Sequence, residues 1–281
     1  MPRPDEQWQI LRCKECGFGW TYPVPSVDQL RSYYPPGYIG DVGKTLEEYL
    51  SGKLLRTRSW RSETSKVALV EKYVSRGTIL DVGCGDGKFL WALDSRRWNP
   101  VGVDFGGETL RLVQEKMPLL RLISGDLFSA ALAEGSFNAI TFWHALEHIP
   151  DPSATLVRAS ELLCPGGWLF MSLPNLDSLQ AGLFKSCWYP FDDVPRHLYH
   201  FTKRSLRLFL SRARMDVQAN LFFSRQVNFH SLKHSLLCWS EERLGCRIPY
   251  YLLKPFLFAF PVLEQITGRF GIFTTVAQKP L

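Results

Sequence analysis

The chain has 281 residues, 46% of them hydrophobic, so it can bury one substantial core and a single domain with additions is expected over two equal ones. A net charge of +6 is modest, and the Lys and Arg residues are scattered apart from Arg96-Arg97 and Lys203-Arg204, so no extended nucleic-acid face is indicated. Seven cysteines in no regular framework, with no signal-peptide pattern at Met1–Asp5, predict a reducing, cytoplasmic environment without disulfides. No apolar run approaches the roughly 20 residues of a membrane span, which predicts a soluble or peripheral protein.

In chain order the first feature is Cys13-Lys14-Glu15-Cys16-Gly17, a knuckle whose spacing lets two thiolates chelate one zinc ion from a tight turn. A tetrahedral site needs four ligands and no second knuckle lies nearby, so a small turn with two free thiols is the competing reading. From Tyr22 to Tyr38 repeated prolines and tyrosines, including Tyr33-Tyr34-Pro35-Pro36-Gly37-Tyr38, preclude a continuous helix and predict an ordered arm over the core. Its aromatic residues either line a substrate pocket or simply pack the arm. Leu46 to Tyr73 has helical periodicity and delivers the chain to the first strand of the domain, covering the cofactor edge.

Thr78 to Leu90 is the stretch around which the rest is organised. A β-branched and aliphatic run ends on Asp81, passes Gly83, Gly85 and Gly87, and turns into an apolar pattern with helical spacing, which predicts a strand, a tight turn and a helix. Glycine is needed there because the backbone must adopt conformations closed to other residues and leave room for a ligand. A second run, Val101-Gly102-Val103, ends on Asp104 about 20 residues on, where a carboxylate can accept from both ribose hydroxyls. A third, Leu119 to Ile123, leads to Ser124-Gly125-Asp126-Leu127 and places another acid at the same sheet edge.

These motifs closely resemble those of the class I S-adenosylmethionine-dependent methyltransferases. Asp81 to Gly87 matches the family's glycine-rich first motif, Asp104 its ribose acid and Asp126-Leu127 its adenine pair. The resemblance covers Lys66 to Leu173 well. It implies an α/β, doubly wound, Rossmann-like sheet of seven mainly parallel strands with an antiparallel last strand, plus an amino-terminal arm (1–45) and a methyltransferase domain (46–281). It also implies that Asp81, Gly83, Cys84, Gly85, Asp104, Phe105, Asp126, Leu127 and Trp143 form the S-adenosyl-L-methionine site, with Cys84 a small packing residue rather than a nucleophile. Several relatives carry two cysteine knuckles ahead of the domain, and Cys13/Cys16 resembles the second.

Phe137 to Trp143 reads as the fourth strand and runs into His144-Ala145-Leu146-Glu147-His148-Ile149-Pro150-Asp151-Pro152, which the sheet would deliver to the reaction side. The subgroup that shares Leu146 to Pro152 includes the quinone-pathway methyltransferases. Their Glu-Glu-His triad, thought to hold a divalent metal, corresponds to His144, Glu147 and His148. With His144 in place of the first glutamate the set suits zinc or manganese better than magnesium. The other reading has His148 only bracing the following turn.

Pro152 to Cys164 reads as a helix, Pro165-Gly166-Gly167 as a turn, Trp168 to Leu173 as the fifth strand. An irregular lid (175–202) follows, carrying Pro195-Arg196-His197-Leu198-Tyr199-His200-Phe201-Thr202, and Thr202 fits an N-cap for a helix Lys203 to Arg212. His148, then His197 and His200, are the candidate bases, although the last two could merely anchor the loop. Met215 to Phe223 and Gly271 to Lys279 are the last two strands, separated by a helical insertion (228–268). Its apolar block Tyr250 to Pro261 could wall a pocket, form a dimer contact, rest on a membrane surface or pack on the core. His230 and His234 read as surface or packing residues.

The expected function is methyl transfer to a small-molecule acceptor, hydrophobic or lipid-linked, at oxygen or carbon. A sugar or sugar nucleotide is the alternative acceptor, and a catalytically silent cofactor-binding protein the alternative class. A nicotinamide-dependent dehydrogenase fits poorly, because its Gly-x-Gly-x-x-Gly spacing differs from the alternation here.

Overall fold

A computed structural model of the chain describes residues 7–34, 41–223, 225–253, 257 and 259–281. Its strands are β1 (Gln9–Arg12), β2 (Gly19–Tyr22), β3 (Gly77–Val82), β4 (Trp98–Asp104), β5 (Arg121–Ser124), β6 (Phe137–Trp143), β7 (Leu163–Pro174), β8 (Tyr199–His200), β9 (Asp216–Leu221) and β10 (Ile272–Gln278). Seven of them form one sheet in the order β5-β4-β3-β6-β7-β10-β9. Neighbours from β5 to β7 are parallel, and β10 runs antiparallel to both β7 and β9. This is the expected doubly wound sheet with its antiparallel last strand.

The strand order explains where a ligand can lie. The chain builds outward from β3 to β4 and β5, then returns to place β6 on the other side of β3. A crevice opens at such a switch point beyond the carboxyl ends of the strands. Helices cover both faces, so the central strands are apolar almost without interruption. Alternate residues feed opposite cores: Leu80, Ile140 and Phe142 join one, Ile79 and Ala139 the other.

Several boundaries differ from the sequence reading for local reasons. The periodic stretch Leu46 to Tyr73 is three pieces, Val42–Leu50, Leu54–Arg56 and Arg58–Glu71. Gly52, at φ 75°, ends the first, and the Thr57 hydroxyl caps the third by accepting from the Trp60 amide at 3.1 Å. Helix Pro152–Leu162 is capped by Asp151, which accepts from the Ala154 amide at 2.9 Å. It stops at Leu162 because Leu163 already pairs with Phe137, so β7 includes the Pro165-Gly166-Gly167 turn as an irregularity rather than starting after it.

The amino-terminal arm is bound into the fold by strand pairing. β1 and β2 form a hairpin around the cysteine knuckle, and β2 pairs antiparallel with β8 through Gly19 opposite His200 and Trp20 opposite Tyr199. Beyond β2 the chain has one short helix, Val27–Ser32; Tyr33 is buried, and Pro35 to Tyr38 lie outside the described residues.

The insertion consists of helices Arg225–Leu244, Ile248–Leu253 and Phe260–Thr267. Helix Leu179–Phe184 and the turn after it pack on the insertion through Phe184, Trp188, Leu232, Leu236 and Tyr250. Within the apolar block, Tyr250 and Leu257 are buried while Tyr251, Leu252 and Leu253 are exposed, as are Val262, Leu263 and Ile266 just beyond it; Lys254, Pro255, Phe256 and Phe258 lie outside the described residues. Among the described residues no helix is long and apolar enough to cross a membrane.

Candidate active site

The glycine turn leaves β3 with Gly83, Gly85 and Gly87 all at positive φ (72°, 55° and 76°), where a Cβ would be strained. Gly83 is required a second time, because a Cβ there would stand 2.6 Å from that of Ala145 in the loop after β6. The turn is gripped from the next strand. Asp104, half-buried at the end of β4, accepts from the Gly85 amide through Oδ2 at 3.0 Å and from the Gly106 amide through Oδ1 at 2.9 Å. Each carboxylate oxygen has two lone pairs, so both retain one acceptor position for a ribose diol. Phe105, next in the chain, is 73% exposed at the same edge and presents a free aromatic face.

Asp81 is buried beneath the turn and accepts from the Thr141 hydroxyl at 2.6 Å. Burial pushes its carboxyl up to about 7 against the pull of Thr141 and Lys66. Lys66 comes from helix Arg58–Glu71, pairs with Glu63 at 2.9 Å and lies 5.4 Å over the Trp143 ring. That helix therefore reaches the cofactor edge, as its position in the chain predicts.

Four other residues expected at the cofactor site have these surroundings. Trp143 is buried edge-on against Phe89, 5.5 Å between rings. Cys84 is a buried packing residue whose sulfur occupies the space a Cβ on Gly102 would need. Leu127 lies in the core, so only its backbone can face a ligand. Asp126 Oδ1 accepts from the Phe128 and Ser129 amides at 2.9 and 2.7 Å; these bonds outweigh partial burial and hold its acid below the usual range.

Beyond β6 the backbone turns sharply at His144, a non-glycine residue at φ 57°, whose amide donates to the Ser172 carbonyl at 3.0 Å. The turn aims Glu147 and His148 inward from the short helix Leu146–His148. The lid closes on it: the Leu198 amide donates to the Glu147 carbonyl at 2.9 Å, which brings His197 alongside. One ligand atom from each of Glu147, His148 and His197 then lies within 4.8 Å of the others. His144 stands outside this set, its Nδ1 3.6 Å from Glu147 Oε1.

The cluster's protons can be assigned from its acceptors. His148 Nδ1 lies 3.0 Å from the Arg196 carbonyl and His197 Nδ1 lies 2.7 Å from that of Pro190, and a carbonyl only accepts, so both nitrogens donate. The Tyr34 hydroxyl of the arm also approaches His148 Nδ1, at 3.2 Å. Burial, helped by His197, pushes the His148 imidazole down to about 4, so it is neutral at pH 7. Glu147 is 1% exposed and neither carboxylate oxygen has a hydrogen-bond partner. Burial opposes its ionisation, but His144, His148 and His197 overcome that and hold it below the ordinary range. A buried carboxylate with a ligand atom from each of two imidazoles within 4.8 Å is an arrangement that a divalent cation would complete.

His200 has another task. The Thr21 hydroxyl donates to the His197 carbonyl at 2.6 Å and must therefore accept from His200 Nε2 at 3.2 Å. Burial, with His197 nearby, pushes His200 down to about 3, so the ring is a neutral brace between arm and lid. The knuckle is equally local: among the described residues Cys13 and Cys16 have no third ligand converging on them. Asp193 is a site residue that the sequence names only as part of the lid; it pairs with Arg196 and reaches to 3.5 Å of His197 Nε2.

Residues 53–218, more than half of the chain, match a family model described as a methyltransferase domain. The chain belongs to that methyltransferase family. Two similar relatives are ubiquinone biosynthesis O-methyltransferases: that of Chromobacterium violaceum is 33% identical over 103 residues (34% of this chain, 44% of the relative). That of Albidiferax ferrireducens is 28% identical over 162 residues (55% and 64%). The chain thus spans about half to two thirds of these relatives' lengths. Among solved structures, the [4+2]-cyclase SpnF has a TM-score of 0.58 at 15% identity, over 92% of this chain and 97% of that one. At such low identity the likeness is one of fold.

Proposed function

We propose that the protein is an S-adenosylmethionine-dependent methyltransferase that methylates a hydroxyl of a hydrophobic small molecule. The single observation that carries this reading is the adjacency of two sites at one sheet edge. Asp81, the glycine turn and Asp104 stand ready for the cofactor at the switch point, and Glu147, His148 and His197 stand beyond the neighbouring strand. The bound cofactor would supply a sulfonium methyl group that is already electrophilic, so the chain's own work is to orient the acceptor, exclude water and receive its proton.

The residues present fit S-adenosylmethionine. Asp104 keeps acceptor positions for the ribose, Phe105 offers a face for the adenine, Asp126 Oδ2 is left for the adenine amino group, and Asp81 presents a carboxylate towards the positively charged end. The Glu147–His148–His197 cluster fits a divalent transition metal such as zinc or manganese, which when bound would acidify the acceptor hydroxyl. Two nitrogen donors make it a poorer magnesium site. Hydroxyl methylation is favoured because a metal at this cluster would bind and acidify an oxygen, and the cluster would take the hydroxyl proton as the methyl group arrives. The exposed apolar residues of the insertion support a hydrophobic or lipid-linked acceptor.

The test is transfer of a labelled methyl group from S-adenosylmethionine to a panel of phenolic and catecholic acceptors, with Glu147→Gln as the paired variant. Product from the intact protein, lost in the variant while cofactor binding persists, supports the reading. Cofactor binding without transfer to any acceptor would favour a silent binding protein.

A further inference from the structure

A second set of metal-ligating side chains lies in the insertion, away from the cofactor edge. Helix Arg225–Leu244 places Cys238 and Glu242 four residues apart, on one face. The short helix Lys185–Cys187 brings Cys187 against that face, with Lys185 at φ 50° making the tight entry. The approach is fixed from both sides. The Tyr189 amide donates to the Ser235 hydroxyl at 2.8 Å, and Trp188, fully buried, packs in the same apolar cluster as Leu232 and Leu236. Cys187 Sγ lies 3.0 Å from Glu242 Oε2, and the ligand atoms of Cys187, Cys238 and Glu242 all lie within 4.8 Å of one another.

We infer that Cys187, Cys238 and Glu242 form a zinc site that clips the lid to the insertion helix. Zinc binds thiolates at about 2.3 Å and carboxylate oxygens at about 2.1 Å, so a tetrahedral ion would hold sulfur and oxygen roughly 3.6 Å apart. With 3.0 Å between Cys187 Sγ and Glu242 Oε2 and no ligand pair more than 4.8 Å apart, small side-chain adjustments reach that geometry. Two sulfur ligands select a soft or borderline ion and disfavour magnesium and calcium. The burial is graded: Cys187 is buried, Cys238 half-buried and Glu242 exposed. The open side is therefore on solvent and leaves the fourth position to water. A carboxylate completes the set, which two thiols poised only for a disulfide would not need. The ion would anchor the lid that carries His197 and His200, and the site is independent of the Cys13/Cys16 knuckle and of the methyl-transfer reading.

The test uses the full chain, purified under reducing conditions and analysed for bound zinc, then reconstituted with cobalt. Wild type is compared with Cys238→Ser, Glu242→Gln and a Cys13→Ser/Cys16→Ser double variant, each checked by circular dichroism. Glu242→Gln guards against misfolding, because its side chain is exposed. The expected result is a zinc content that the knuckle substitutions leave unchanged and that Cys238→Ser lowers by about one per chain, whatever the Glu147–His148–His197 cluster holds. Cobalt should show a thiolate charge-transfer band, with affinity at least tenfold weaker in Glu242→Gln. Zinc content that follows only Cys13 and Cys16, no cobalt thiolate band in the reduced Cys13→Ser/Cys16→Ser variant, or a Cys187–Cys238 disulfide in the protein as isolated would each overturn the assignment.

Discussion

Asp81 carries a burial cost that the Thr141 hydroxyl and Lys66 offset only in part. With its carboxyl raised to about 7 from an ordinary value near 3.8, the folded state binds more protons than the unfolded chain between those values. Its contribution to stability is therefore greatest below pH 4 and declines as pH rises through about 7. Cofactor affinity should move the opposite way, strengthening between pH 6 and pH 8 as the carboxylate ionises to meet a cationic ligand. Asp81→Asn should flatten that part of the profile; calorimetric titrations at four or five pH values would show whether it does. At the neighbouring cluster, His148→Ala should lower turnover by about 10²- to 10⁴-fold, the usual span for a lost proton-handling group, while leaving cofactor affinity within a fewfold.

At the scale of elements, the arm and lid stand together through Thr21. Its hydroxyl is buried and bonded to both the His197 carbonyl and His200 Nε2. Thr21→Val keeps the shape and removes both bonds, leaving buried polar groups unsatisfied. It should cost about 1–3 kcal/mol, read from the midpoint of urea unfolding, and a change under a few tenths would refute the bracing role. The same elements show what a sequence reveals. Asp81 to Gly87 and Asp104 were legible because strand, turn and acid lie within one βαβ unit, so local spacing encodes the site. Glu147 and His148 were legible as neighbours, but His197 joins them only through the pairing of Leu198 with Glu147, and no local period announces that contact. His144, next to them in sequence, has a left-handed backbone and keeps its Nδ1 3.6 Å from Glu147 Oε1, outside the set of three. Cys187 is likewise remote in sequence from Cys238, although the four-residue spacing of His230, His234, Cys238 and Glu242 was a visible signal on one helix.

Across the whole molecule, a buried polar network joins lid, insertion and sheet. Glu264 Oε1 accepts from Gln180 Nε2 at 3.0 Å and from the Gly271 amide at 2.8 Å, and Asn228 bonds to both the amide and the carbonyl of Ile272 at the start of β10. Burial pushes the Glu264 carboxyl up to about 7 from 4.5. Its folded-state pKa is raised, so its contribution is complete below about pH 4.5 and is lost as pH climbs through 7. Thermal stability should fall over that window, and Glu264→Gln, which keeps an acceptor for Gln180 and Gly271, should reduce the slope. An unchanged slope in the variant would place the pH dependence elsewhere.

The central claim, that the β3 turn and Asp104 form a cofactor site, is tested most directly by calorimetric titration of S-adenosylmethionine into the intact protein and into Asp104→Ala. The account predicts micromolar binding to the intact chain. It predicts affinity at least about 10²-fold weaker in the variant, from the loss of two hydrogen bonds to a charged acceptor worth about 1.5–3 kcal/mol each. No binding to the intact protein, or equal binding to a folded Asp104→Ala variant, would contradict it.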